Sequence, residues 1–267
     1  MQLTPLTADL AWGESTTWDD RRQRLCFVDC ATSNLHWLDA DSTTPESWTM
    51  PSLPTGIVPT EDGRLIVVLD DGLNLVDVDS RTIEHLAPNP PGVDRCNDAC
   101  ADLEGNVITG KLNLGPAEGS AWRWSPADST WSLLDDDIAN TNGPCVDAHR
   151  LVIGDTSAQY WAYDYDGRTA TNRRLAGSTD GTGGHPDGAT LDADGHLWAA
   201  VFGSGTVVRF GADAAPDLTI PVGYENPSDV TFGGPDLDRL FVAIIGGPLL
   251  AIDGLDARGR VEPRARL

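Results

Sequence analysis

A polar turn leading into a short apolar strand recurs six times in this 267-residue chain, and that recurrence limits the fold more than any single motif does. The copies are WDDRRQRLCFVD around Leu25, TEDGRLIVVL around Leu65, ADLEGNVITG around Val107, VDAHRLVIGD around Leu151, DADGHLWAAV around Leu197 and PDLDRLFVAI around Leu240. Their spacing, about 40 to 46 residues, is the length of one four-stranded propeller blade. A second strand-like run follows each copy, as in Leu35–Asp39, Leu73–Asp77, Tyr160–Asp164 and Leu249–Asp253. Each pair reads as a hairpin, and no segment carries the 3.6-residue period of an amphipathic helix. Six units predict an all-β fold: a six-bladed β-propeller, with four-stranded antiparallel blades around a central channel, in one domain spanning 1–267. A closed ring leaves only short, protected strand edges, which suits a soluble monomer.

Charge narrows the range of partners. The chain has 41 acidic against 18 basic residues, a formal net charge of −23, and Lys111 is its only lysine. Such a surface repels nucleic acid and anionic membranes, so neither is expected as a partner. The acids are dispersed rather than gathered in a tail, and 40% hydrophobic content argues against disorder. Self-repulsion of this size is tolerable where salt screens it, with a Debye length of about 3 Å at 1 M. A salt-adapted source and a merely acidic, Arg- and Asp-rich composition both account for it. No apolar run approaches the roughly 20 residues of a membrane span. Met1–Pro5 lacks the basic-then-apolar pattern of a signal peptide, and five cysteines without a CxxC pair fit reduced thiols. A cytoplasmic location is therefore expected. The Cys26/Cys30 and Cys96/Cys100 spacings have no histidine partner and read as small buried residues.

Chemistry is expected in the connections that lead into the repeats. Trp12-Gly13-Glu14-Ser15 precedes the first unit, and Asp94-Arg95-Cys96-Asn97-Asp98 the third. Asn140-Thr141-Asn142-Gly143 precedes the fourth, and His185-Pro186-Asp187-Gly188 the fifth. In the last of these a carboxylate lies between a proline that fixes φ and a glycine that relaxes it, a rigid way to aim one side chain, although Asp-Gly is also an ordinary turn. Equivalent offsets in a ring of repeats place side chains at one end of the channel, so Glu14, Arg95, Asn97, Asn142 and Asp187 are expected to converge. Glu14, Asn142 and Asp187 would form a hard, all-oxygen donor set suited to a divalent cation. Arg95 offers a planar fork of donors, and Asn97 a donor and an acceptor, which together suit hydroxyls or a carbonyl. Taken singly, each of these residues has an ordinary structural role as a turn former, loop holder or exposed acid.

Several ordered blocks run through the chain: Gly13-Glu14 followed by Trp18-Asp19, Phe27-Val28-Asp29, Asp94-Arg95-Cys96-Asn97-Asp98, Asn142-Gly143, Pro186-Asp187-Gly188, and Asp194-Gly195-His196-Leu197-Trp198. On these blocks the chain resembles the SMP-30/gluconolactonase/luciferin-regenerating family, which includes regucalcin and bacterial sugar lactonases, over nearly its whole length. The resemblance implies a six-bladed propeller with one divalent metal (Ca, Zn, Mn, Mg or Fe(II)) held by Glu14, Asn142 and Asp187. It further implies Arg95 and Asn97 as substrate-binding residues, Asp187 as general acid/base, and hydrolysis of a small-molecule sugar lactone to its aldonic acid. The family's usual Gly-Glu-Gly-Pro is Gly13-Glu14-Ser15-Thr16 here, and its Gly-Thr-Met is Gly110-Lys111-Leu112. An acidic substrate-contacting residue of some members has no clear counterpart near Asn113 to Gly115, which bears on substrate identity more than on reaction type. No Gly-x-Ser-x-Gly elbow is present to support a serine hydrolase. The alternatives are a non-catalytic calcium- or ligand-binding propeller and a hydrolase of non-sugar lactones or esters.

Overall fold

The computed structural model describes residues 1–40, 42, 44–113 and 119–267, and these contain strands but no helix. After β1 (Gln2–Pro5), the chain lays down five blades in succession. The first is β2 (Gly13–Asp19), β3 (Arg24–Asp29), β4 (Asn34–Asp39) and β5 (Glu46–Thr49). The second is β6 (Gly56–Pro59), β7 (Leu65–Leu69), β8 (Gly72–Asp77) and β9 (Thr82–Ala87). The third is β10 (Cys96–Ala101), β11 (Val107–Lys111), β12 (Ala121–Ser125) and β13 (Thr130–Asp135). The fourth is β14 (Thr141–Val146), β15 (Arg150–Asp155), β16 (Gln159–Tyr165) and β17 (Ala170–Ser178). The fifth is β18 (His185–Leu191), β19 (Leu197–Phe202), β20 (Thr206–Phe210) and β21 (Pro216–Pro221). The sixth blade has β22 (Pro227–Gly233), β23 (Arg239–Ile244) and β24 (Leu250–Asp253), and it borrows β1 as its outermost strand, with Leu3 opposite Ile252. The expected six-bladed, four-stranded propeller is thus present, and pairing of the two ends of the chain closes the ring.

Each six-fold repeat exists because its second strand must be apolar on both faces. In β7, Leu65, Val67 and Leu69 pack toward the first blade, while Ile66 and Val68 pack toward the third. The two-residue period of a strand sends alternate side chains to opposite faces, so a blade pressed between two others reads as a continuous apolar run. The same logic yields six apolar clusters, one in each seam between neighbouring blades. Phe27 and Leu25 with Phe241 hold the seam that joins the sixth blade to the first. Burial of each such side chain contributes about 1.5–3 kcal/mol. The outer strands β5, β9 and β21 are largely exposed, which confines the core to the seams.

The connections expected to carry chemistry are not loops. Glu14, Asn97, Asn142 and Asp187 lie within β2, β10, β14 and β18, the innermost strand of each blade. They were hidden as strands because their Gly, Pro, Asn and Asp content is that of turns. Each of these strands breaks register at the same place, between Glu14 and Thr17, Cys96 and Ala99, Asn142 and Cys145, and Pro186 and Ala189. A β-bulge leaves extra residues without ladder partners and re-aims their side chains, so consecutive residues can serve the channel. Turn formers fit here for a different reason. Gly143 has φ +45, and a Cβ on it would come within 2.2 Å of Ala189 N. On Gly188 a Cβ would lie 1.9 Å from Asp229 Oδ1. Both glycines permit a close approach between inner strands.

Residues after β24 run across the end of the channel opposite these bulges. Ala193 N–H donates to Arg258 O and Gly259 N–H to Leu237 O, both at 2.7 Å, and Ala265 bridges Thr60. Arg264 Nη2 reaches Asp19 Oδ1 at 3.0 Å and also binds Asp20. Glu262 and Pro263 face into the channel and, with Thr190 Oγ1 donating to Glu262 Oε1 at 3.2 Å, close it from that side. The five cysteines are free, and burial pushes the thiols of Cys26, Cys96 and Cys145 up to about 12, as suits inert packing groups. Lys111 ends β11, and of the stretch Asn113 to Gly115, residues 114 and 115 lie outside the described residues.

Candidate active site

Four of the five expected residues meet at the bulged end of the channel. Asn97 Nδ2 donates to Asn142 Oδ1 at 2.6 Å and to Thr141 O at 2.9 Å, tying the third blade to the fourth. Asn142 Nδ2 donates to Pro186 O at 2.9 Å, tying the fourth to the fifth beside Asp187. Tyr160, fully buried in that seam, grips Asp187 from behind: its hydroxyl donates to Asp187 O at 3.0 Å and accepts Asp187 N–H at 2.9 Å. Ser228 Oγ donates to Gly13 O at 2.6 Å and fixes the strand beside Glu14. Glu14, Asn97, Asn142 and Asp187 then line one cavity of about 350 Å³, within the usual range of small-molecule sites. Arg95 is different. Its guanidinium pairs with Asp70 at 2.8 Å, half-exposed, and it is not part of the cavity wall.

Side chains two positions apart on a strand share a face, so the residues just before these four form a second, outer tier. They are Trp12, Arg95, Asn140 and His185. Trp12 Nε1 donates to Glu14 Oε1 at 3.2 Å, and its backbone N–H is held by Asp29 Oδ1 at 3.0 Å. Asn140, buried, donates through Nδ2 to Asn142 Oδ1 at 2.9 Å and accepts Asn113 N–H at 2.9 Å. Trp12, Asn113, Asn140 and His185 all line the cavity, with Leu112, Phe202 and Ile245 supplying apolar wall.

One layer deeper, the bulges present a further pair of acids. Asp98 Oδ2 accepts Gly143 N–H at 2.8 Å, and Asp229 Oδ2 accepts the Thr16 N–H and, at 2.7 Å, its hydroxyl. Four carboxylates therefore crowd the channel, and no arginine or lysine among the described residues lines either cavity along it. Burial pushes Asp98 up to about 7, and burial together with the charge of Asp98 pushes Asp229 up to about 8. Glu14 is raised well above the usual carboxylate range by burial and then by Asp98 and Asp229. Asp187 is raised by burial and then by Glu14, Asp98 and Asp229. Like charges in a desolvated place hold protons that water would remove.

A divalent cation fits this arrangement. Glu14 Oε1 is engaged by Trp12, whereas Glu14 Oε2 is buried without a hydrogen-bond partner among the described residues. A buried, unpaired carboxylate oxygen is costly unless something positive meets it. Among the described residues no three His, Cys, Asp or Glu side chains are grouped to hold a metal by themselves, so an ion here also needs the amide oxygen of Asn142. Oxygen donors from two carboxylates and one amide match hard cations that keep open positions for water or substrate.

Asp98, Asp229, Trp12 and Asn140 were not singled out from the sequence. Asp229 had a usable signal, since Pro227-Ser228-Asp229 stands before the sixth unit much as Pro186-Asp187-Gly188 stands before the fifth. Asn140 and Asn142 had one too, in the alternation Asn-Thr-Asn along a single strand face.

Comparison with known proteins bears on the family and on the fold. The pentonolactonase XacC of Haloferax volcanii is 32% identical over 88% of this chain and 82% of its own. A 6-deoxy-6-sulfogluconolactonase of Pseudomonas putida is 29% identical over 86% of this chain and 82% of its own. The solved luciferin-regenerating enzyme superposes with a TM-score of 0.92 at 24% identity, covering 100% of this chain and 99% of its own, which speaks to the fold. The profile of the SMP-30/Gluconolactonase/LRE-like region matches residues 12–246, and the chain belongs to that family.

Proposed function

We propose that this propeller is a divalent-metal-dependent lactonase that opens an aldonolactone to the corresponding aldonic acid. The observation that carries the proposal is the buried, unpartnered Glu14 Oε2 in a cavity shared with Asn142 and Asp187. Its similarity to a pentonolactonase and a sulfogluconolactonase supports the substrate class. When bound by Glu14, Asn142 and Asp187, the cation would supply a Lewis acid for the lactone carbonyl oxygen.

The chain's own residues account for the rest. Asp187, whose backbone is held by Tyr160, would take a proton from the attacking water and return it to the ring oxygen. Water adds to the carbonyl carbon, the ring C–O bond breaks, and the products are a carboxylic acid and a hydroxyl on one open chain. Asn97 presents an amide to substrate oxygens, and Leu112, Phe202 and Ile245 shield the reacting carbon from bulk water. Arg95 would have to exchange Asp70 for a substrate hydroxyl to take part, at modest cost because that pair is half-exposed.

The test is proton release in a pH-stat over a panel of neutral pentono- and hexonolactones, with spontaneous opening subtracted. Wild-type protein is stripped with chelator and reloaded with Ca²⁺, Mg²⁺, Mn²⁺, Zn²⁺ or Fe²⁺ singly. Activity that disappears on chelation, returns with at least one ion and is absent in Asp187→Ala supports the proposal. Binding of an ion without turnover of any lactone would overturn it in favour of a binding propeller.

A further inference from the structure

We infer that Trp12 and Asn140 are positioning residues for the cation site, each orienting the ligand two residues further along its strand; this rests on the lactonase reading above. A carboxylate or carboxamide can turn about its last torsion, and only one orientation of Asn142 offers oxygen instead of nitrogen. In Asn142 that orientation is fixed from both ends. Nδ2 gives its hydrogen to Pro186 O, and Oδ1 takes one from Asn140 Nδ2 at 2.9 Å. Asn140 is oriented in turn, because its Oδ1 accepts Asn113 N–H at 2.9 Å and only its nitrogen remains to face Asn142. Asn97 also donates to Asn142 Oδ1, but Asn97 is partly exposed and is the amide proposed to turn to substrate. Asn140 is 5% exposed, so its hold on Asn142 persists when Asn97 leaves.

Trp12 does the same for Glu14 by a different donor. Its indole N–H occupies Oε1 and leaves Oε2 as the buried oxygen without a partner among the described residues. The indole cannot wander, since Trp12 packs against the seam between the first and second blades and its backbone N–H is held by Asp29. The outer tier thus divides in two. Trp12 and Asn140 reach along the strand to their ligands, whereas Arg95 pairs outward with Asp70. Asn140 also acts on the cavity wall, because its bond to Asn113 N–H anchors the segment that places Leu112 and Asn113 there. Loss of Asn140 therefore disturbs ion binding and substrate binding together, and loss of the Trp12 N–H disturbs ion binding.

The experiment is calorimetric titration of the full-length protein, stripped of metal, with Mn²⁺ and separately Ca²⁺. Wild type is compared with Trp12→Phe, Asn140→Leu and Asn113→Pro, which removes the backbone donor to Asn140 together with the cavity-lining Asn113 side chain. Outer partners of metal ligands commonly control about 10–100-fold in affinity. Trp12→Phe and Asn140→Leu are expected to weaken ion binding by about tenfold or more. Asn113→Pro is expected to weaken ion binding less than Asn140→Leu, because Asn140 keeps its Nδ2 and loses only the bond that orients it. It should also raise KM for the lactone several-fold, an effect Asn140→Leu should share. Asn140→Ala serves if the leucine variant does not fold. Unchanged ion affinity in folded Trp12→Phe and Asn140 variants, with only a lower Tm, overturns the inference. If wild type itself binds neither ion and none of the five ions above restores turnover, the lactonase reading is what fails.

Discussion

The two ends of the channel use the same residue type in opposite ways. At the end crossed by the C-terminal residues, acids meet arginines: Asp19 and Asp20 bind Arg264, and Glu61 binds Arg266 at 2.8 Å. Burial alone would raise Asp19, but the hydrogen bond and charge of Arg264 more than reverse it and hold Asp19 below the usual carboxylate range. At the bulged end Glu14 and Asp187 line the candidate cavity with Asp98 and Asp229 one layer deeper, and all four are raised. Apart from Glu262, which burial raises, one end is compensated within the fold. The other is left short of positive charge, and that shortfall supports the proposed cation site.

The largest expected effect comes from breaking the bulged end. Asp187→Asn keeps shape and removes the titrating oxygen, and lactone turnover should fall by about 10²–10⁴-fold with little change in Tm. A fall under about tenfold would assign the proton transfer elsewhere, with Asp98 the next candidate by position. At the compensated end Arg264→Ala should do the reverse. It leaves Asp19, whose side chain is 4% exposed, with Arg22 as its remaining cation at 3.2 Å. The loss, read by urea denaturation, should therefore stay below the roughly 3–5 kcal/mol of breaking a buried pair outright, with turnover per folded molecule unchanged.

pH sharpens the contrast, because the two ends carry opposite signs. A carboxylate raised in the fold binds its proton where the unfolded chain has already lost it, so stability falls as pH rises from the ordinary carboxylate value toward the folded one. For Asp98 and Asp229 that window runs from about 4 up to about 7 and 8. Asp19, depressed by Arg264, stabilises above its unfolded value and loses that contribution as pH falls through its folded value. Metal-stripped protein should therefore lose Tm between about pH 5 and pH 8, by up to about 1.4 kcal/mol per pH unit for each carboxylate that retains its proton. Added divalent cation should restore more at pH 8 than at pH 5. A flat profile in stripped protein would mean that the four acids are not raised in the fold. The smallest effect is general: at net charge −23, Tm should rise by a few degrees from about 0.1 M to about 2 M KCl, and a Tm that does not rise would remove the salt-adapted reading.

The propeller could be read from the sequence because the repeats are a local property. Each second strand is apolar on both faces wherever it sits, so six copies at blade spacing imply six seams. The cluster Glu14, Asn97, Asn142 and Asp187 could be read for the same reason, since equal offsets in a ring become neighbours. What escaped was register. Glycine, proline and asparagine in β14 and β18 look like turns, and only contact with the next blade makes them bulged inner strands. Asp98 and Asp229 became visible as a deeper pair only once the bulges were seen to turn consecutive residues toward the channel. Arg95 shares the expected offset yet pairs with Asp70 from the second blade, a long-range partner that no local pattern announces.

Proton release on ion binding most directly tests the proposal that a divalent cation is held by Glu14, Asn142 and Asp187. Stripped protein would be titrated with Mn²⁺ at about pH 7 in buffers of differing ionisation enthalpy, so that the slope of apparent against buffer enthalpy counts protons. With Asp98 at about 7 and Asp229 at about 8, and Glu14 and Asp187 raised as well, binding should expel on the order of one proton per ion. Asp187→Asn should expel fewer. Ion binding with no proton released would contradict the account by placing the ion away from these four carboxylates, and release that Asp187→Asn leaves unchanged would contradict it by placing the ion away from Asp187.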